Sequence, residues 1–340
     1  MNMAQLHAAW GNRLRLAALV LALIAVGRTG TAASPVLVLE ATIPLGRVSG
    51  RIDHMAVDIA HRRLFVAELG NDSVDAIDLA TRKVVGRIAG LDRPQGLAFA
   101  PEAQLVAVAD AGDGMLSFFR AADLLPAGSL ALGSDADNLH MDALGKRLIA
   151  GYGEGGLAVI DPGSRSRLSD VRLPAHPEGL QLNRAGTLAF VNLPDAQRIG
   201  VVDFGAGRLS GSWPTPWASA NFPMAIDGSD KMLAVGFCEP ATLALIDAAS
   251  GALLARVENC NDADDLFFDD RRQRIYESCG EGVVDVYELT GGRLARLARL
   301  PTSSGSRTSL FVPELDRLFA AERTPSPGTE ARILVFRPTP

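Results

Sequence analysis

The residues of this chain best suited to chemistry are few, and they stand close to one another. Three histidines share a short motif with a carboxylate at a repeated place in the chain, in Asp53-His54, Asp137-Asn138-Leu139-His140 and His176-Pro177-Glu178. The pair Asp264-Asp265, the amides Gln95 and Asn221, and the arginines Arg51, Arg93 and Arg307 complete the set. Neutral imidazole together with carboxylate suits zinc, copper and similar ions, whereas carboxylates alone suit calcium. One expectation is therefore a divalent metal (calcium, zinc or copper) held by His54, His140, Glu178 and Asp264. No His-x-His pair or other compact metal signature accompanies them. The arginines could clamp a carboxylate or phosphate through bidentate contacts, or pair with Asp53, Asp137 or Asp264 as internal salt bridges. A plainer reading has all these side chains capping strand ends.

The elements that must position them repeat along the chain. Residues 62–90 contain an apolar run (Leu64 to Glu68), a turn cluster (Asn71-Asp72-Ser73), a second run ending in Ile77-Asp78, another turn, and a third run from Val84 to Ile88. Short β-prone runs between turn residues read as strands, and Asp53 to Val57 can supply an innermost one. Four strands in about 40 residues make one propeller blade. The Leu64 marker recurs at Leu105, Leu148, Leu188, Leu233, Ile275 and Leu318. The Ile77-Asp78 marker recurs at Phe119-Arg120, Ile160-Asp161, Val202-Asp203, Ile246-Asp247, Tyr287-Glu288 and Phe336-Arg337. Two markers with nearly one period predict an all-β, seven-bladed β-propeller with four-stranded blades.

The repeated "Arg-Leu-Phe-Val, then Val-x-x-Ile-Asp" pattern resembles the YVTN-repeat β-propellers, and within them the YncE-like exported proteins. The stretches DADNLHMD (135–142), HPEGLQL (176–182), NFPMAID (221–227), DADDLFFD (262–269) and RTSLFVPELDRLF (307–319) also look like that family. The resemblance spans residues 35 to 337. It implies the fold and implies no activity, because the family is mostly of unassigned function.

Residues 1–33 read as a secretory signal peptide. Arg13 and Arg15 precede an apolar run from Leu16 to Val26, and Thr31-Ala32-Ala33 offers a small-residue cleavage site. Residues 34–340 then form a single propeller domain, periplasmic or secreted, with no membrane span after cleavage. Loss of Arg13, Arg15 and Arg28, with no acids, shifts the formal net charge from −6 to −9. Such an acidic chain without a basic stripe argues against nucleic acid. A self-contained ring makes a monomer the default.

Residues 35–45 form a strand with no blade of their own, and the last repeat is one strand short. The N-terminal strand is therefore expected to close the ring as the outer strand of the seventh blade. Its deletion should cost far more than trimming residues 338–340.

Propeller ligands commonly dock where inner strands begin. Aligning the repeats there puts Asp53, Gln95, Asp137, Glu178, Phe222, Asp264 and Thr308 at one position, followed by His54, Gly96, Asn138, Gly179, Pro223, Asp265 and Ser309. Arg51, Arg93, His176, Asn221 and Arg307 stand just before, and His140 lies two positions on. Cys238, Cys260 and Cys279 fall on the same face. In an exported protein they predict one disulfide, either Cys238–Cys260 or Cys260–Cys279.

The favoured role is a binding or interaction module that takes a small molecule or partner protein at this mouth. Complete repeats without a nucleophile elbow, phosphate loop or haem motif weigh against an enzyme. The alternatives are a metal-dependent, lactonase-like hydrolase and a metal or redox accessory protein using the same mouth.

Overall fold

A computed structural model describes residues 35–324 and 329–340, so the leader expected at residues 1–33 lies outside the described residues. The chain forms seven four-stranded antiparallel sheets arranged as the blades of a β-propeller. The inner strands are Met55–Asp58, Pro94–Ala100, Ala136–Met141, Leu180–Leu182, Ser219–Ile226, Ala263–Asp269 and Ser309–Val312.

Burial grades outward across each blade. The second strand of blade 2, Leu105–Asp110, is buried at every residue, which is why it reads as a continuous apolar run. The outer strand of blade 1, Lys83–Ala89, buries only Ile88. The core lies between blades: Phe65 and Ala67 of blade 1 pack against Val106 and Val108 of blade 2. Full burial of Phe65, Val106 and Val108 contributes about 1.5–3 kcal/mol each.

The hydrophobic-acid marker has a physical cause. Its aspartate accepts backbone N–H groups of the turn that follows, from Thr81 to Asp78 at 2.6 Å, Gly163 to Asp161 at 2.9 Å, Ala206 to Asp203 at 3.0 Å and Ser250 to Asp247 at 2.8 Å. Such side-chain bonds fix the hairpin between third and fourth strands. Where Arg120 replaces the acid, it instead pairs with Asp123 at 2.7 Å.

Strand register corrects three alignments. Ile77 opposes Leu64, and its counterparts Phe119 and Val202 oppose Val106 and Ala189. The true counterparts of Leu64 are thus one residue past Leu105 and Leu188. Two adjacent apolar residues made either choice plausible from pattern alone. In blade 7, Phe311 opposes Leu318 as Val57 opposes Leu64, so Arg307 and not Thr308 occupies the position of Asp53.

The ring closes as expected. Leu37–Gly46 pairs antiparallel with Ala331–Pro338, from Leu37↔Pro338 to Gly46↔Ala331. Glu40 adds an ion pair to Arg317 of the same blade. The last residues are better tied than expected: the Thr339 carbonyl accepts Arg274 at 2.7 Å and Arg272 at 3.0 Å, and Thr339 N–H donates to the Val36 carbonyl at 3.0 Å. Trimming residues 338–340 would therefore loosen blade 7 from blade 6.

Candidate functional site: the channel mouth

Two residues before each of Met55, Leu97, Leu139, Leu180, Met224, Leu266 and Ser309 lies one residue at or near the start of the inner strand. These seven residues share one register against their neighbouring strands. The positions before them therefore form a ring: Asp53, Gln95, Asp137, Glu178, Phe222, Asp264 and Arg307, one per blade. All but Asp53, which is 1% exposed, line a cavity of about 300 Å³ together with Arg51, Asp135 and His176. A second cavity of about 250 Å³ continues along the inner strands, lined by His54, Asn138, His140 and Asp265 among others. Asp264 lines both.

One side of the mouth is neutralised internally. Arg307 donates to Asp262 at 2.6 Å and lies 3.1 Å from Asp264, and Arg51 reaches Asp53 at 3.2 Å and Asp264 at 3.7 Å. These residues come from blades 6, 7 and 1. Burial raises the Asp264 carboxyl above its ordinary value, and Arg307 opposes that rise.

On the facing side, from blades 3 and 4, no arginine closes an ion pair among the described residues. Asp137, His176 and Glu178 bring a carboxylate oxygen, a ring nitrogen and a second carboxylate oxygen within 4.8 Å of one another. Nδ1 of His176 sits 2.6 Å from the Gly153 carbonyl and 3.8 Å from Asp135. Burial pushes the Asp137 carboxyl up to about 7, with His54 opposing. Burial likewise raises Glu178, opposed by His176 and reinforced by Asp264. Gln95 of blade 2 and Phe222 of blade 5 are the uncharged residues that part the two sides.

His54 lies one step deeper and reaches both. Its Nε2 is 3.8 Å from Asp137 and its Nδ1 is 3.9 Å from Asp265. Burial disfavours its charge, but Asp53, Asp265, Asp137 and Asp264 together raise its pKa to about 9. It is therefore an imidazolium at neutral pH and offers no lone pair to a metal. His140 is the opposite case, lowered to about 4 by burial and by the charge on His54. Burial raises Asp265 to about 7 against the pull of His54.

The structure thus separates the four residues expected to share a metal. His54 is drawn into the carboxylates, and His140 lies two positions further along its strand. Among the described residues, only two groups place three such donors within 4.8 Å: Asp137-His176-Glu178 and Cys260-Glu277-Cys279. In the second, Cys260 and Cys279 form the disulfide, with Cα atoms 5.9 Å apart, and Cys238 is free. This resolves the pairing the sequence left open. The bridge spans 19 positions and on loop entropy contributes about 3 kcal/mol.

Asn221 does not face the mouth. It is buried, and its amide donates to Asn192 at 2.9 Å and to the Arg198 carbonyl at 3.2 Å, joining blades 4 and 5. Its neighbour Phe222 takes the mouth position. Arg93 is exposed and donates to the Ala111 carbonyl at 3.0 Å. Sequence reasoning missed Asp135 and Asp262 as functional neighbours, although both open the same Asp-Ala-Asp motif in blades 3 and 6.

The chain matches no protein-family model and no curated protein. Among solved structures it is similar to a chain of Kuenenia stuttgartiensis hydrazine synthase, with TM-score 0.73 and 17% identity over 84% of this chain and 94% of that one. It is also similar to a chain in a crystal structure of the mitotic checkpoint complex, with TM-score 0.76 and 14% identity over 96% and 99%. At these identities the likeness shows the fold, a β-propeller, and nothing of the chemistry at its mouth.

Proposed function

We propose that this chain is an exported, YncE-like binding propeller whose channel mouth takes the cationic group of a small molecule or of a peptide side chain. The observation that carries the reading is the asymmetry of the ring. Arg51 and Arg307 are consumed by Asp53, Asp262 and Asp264, while no hydrogen bond or ion pair closes on the Glu178 carboxylate among the described residues. Half-buried carboxylates without partners are costly unless something else supplies the charge. The cavity of about 300 Å³ lies at the small end of ligand sites, the size of one compact ligand or one side chain. The export and family parts rest on the leader and on the repeat motifs.

Calorimetry on the mature protein with cadaverine, arginine amide and succinate tests the reading. Cadaverine or arginine amide should bind, and Glu178→Gln should weaken that binding at least tenfold. Binding of succinate alone would instead identify an anion clamp built on Arg51 and Arg307 and would sink the proposal. Mass spectrometry of protein recovered after export should find a mature chain beginning near residue 34.

A further inference from the structure

We infer that Asp137, His176 and Glu178 form a binding site for a first-row divalent transition ion of the zinc type. The inference rests on the mouth being a cation site and names the cation. Three donors from two adjacent blades lie within 4.8 Å of one another, so that small side-chain rotations bring them to the separation of about 3.4 Å that tetrahedral bonds of about 2.0–2.2 Å require. One is an imidazole, which favours zinc and its neighbours over calcium or magnesium.

The ring of His176 is already oriented for this work. Its Nδ1 lies 2.6 Å from the Gly153 carbonyl, an acceptor only, so Nδ1 carries the proton and donates. Nε2 is the nitrogen that remains to bind a metal. A histidine ligand anchored through its other nitrogen by a carbonyl or carboxylate is the common support for protein-bound metals. Gly153 holds its place by donating its own N–H to the Ser134 carbonyl at 2.9 Å.

The remaining coordination positions face open space. All three donors line the mouth cavity of about 300 Å³, so three protein ligands would leave room for water or a ligand atom on the ion. That is the arrangement of an accessible metal rather than a sealed structural one. It differs from the set expected from sequence, in which His54 and His140 were to be ligands.

The test titrates zinc into the mature protein after chelator stripping, with calorimetry as one readout and the visible spectrum of the cobalt-loaded protein as another. One zinc per chain is expected, unaffected by calcium. His176→Ala should weaken it at least a hundredfold and abolish the cobalt spectrum, and Glu178→Gln should weaken it about tenfold. His61→Ala, at the exposed histidine paired with Asp58, should leave both readouts unchanged. Absence of zinc binding, or binding indifferent to His176→Ala in a variant of unchanged melting temperature, would overturn the inference. Cadaverine binding to zinc-free protein separates the outcomes: if it binds and zinc does not, only the metal assignment falls. If neither binds, the cation-site reading falls with it.

Discussion

The two halves of the channel mouth are built from the same position of the same repeat and do opposite things. On blades 6, 7 and 1, Asp262, Asp264 and Asp53 are answered by Arg307 and Arg51. On blades 3 and 4, Asp137 has His54 at 3.8 Å, Glu178 feels Arg51 only at longer range, and the nearby His176 is itself pinned to a carbonyl. A repeat fixes where side chains converge. Which of them pair and which stay open is decided one residue at a time, so stability and function can be divided around one ring.

The largest effect should come from removing the hub of the paired half. Asp264→Ala removes the carboxylate shared by Arg307 and Arg51 but leaves them Asp262 and Asp53, and should cost about 2 kcal/mol by urea denaturation. Glu178→Gln removes an unanswered charge and should leave stability the same or raise it by up to about 0.5 kcal/mol. If both variants lose stability equally, the two halves are not different in kind.

Next in size is the pH profile of His54, which reaches both halves. Its folded pKa of about 9 stands above the ordinary 6.5, so the folded protein holds the proton more tightly than the unfolded chain. The stabilisation is complete below pH 6.5 and disappears as pH rises through 9. His54→Gln should therefore melt well below the parent at pH 6, with the gap closing by pH 10. A gap independent of pH would mean that the imidazole serves packing alone.

A smaller effect should follow from Gln95→Lys, which places a tethered cation beside Asp137. Affinity for cadaverine should fall about tenfold, and the melting temperature should rise by about 1 °C. The smallest is Arg93→Ala, within about 0.5 kcal/mol of the parent and with ligand binding unchanged, because Arg93 is exposed and bonds one carbonyl outside the ring.

Much of the fold was legible because its signals are local. The aspartate of Ile77-Asp78 bonds the very turn that follows it, so the marker and the hairpin are the same fact. Register was less legible: in blades 2 and 4 an apolar residue lies on each side of the true position, and only cross-strand pairing distinguishes Val106 from Leu105. The mouth position could be read in six blades, since each contributes one residue at a fixed offset. In blade 7 the pattern alone makes Arg307 a flank, because the polar Thr308 beside it suits a strand end equally well. Partner choice was the least legible. That Arg307 would reach back to Asp262 and Asp264, that His54 would cross towards Asp265, and that His176 would meet Asp137 depend on the angular order of blades. No short stretch of sequence carries that information.

The clasp that closes the ring also sets how the molecule would respond to tension. Thr339 donates through its hydroxyl to the Pro35 carbonyl at 2.6 Å, so the two ends of the described propeller lie side by side. A pull that draws residues 35 and 340 apart acts on one end of the antiparallel pair, at Leu37↔Pro338. Because the bonds of such a pair run across the strands, they would be loaded in succession towards Gly46↔Ala331, like a zip, and never all at once. Blade 7 is therefore the mechanical fuse of the ring: it would open at low force while the other six blades, each one unbroken meander, stayed whole.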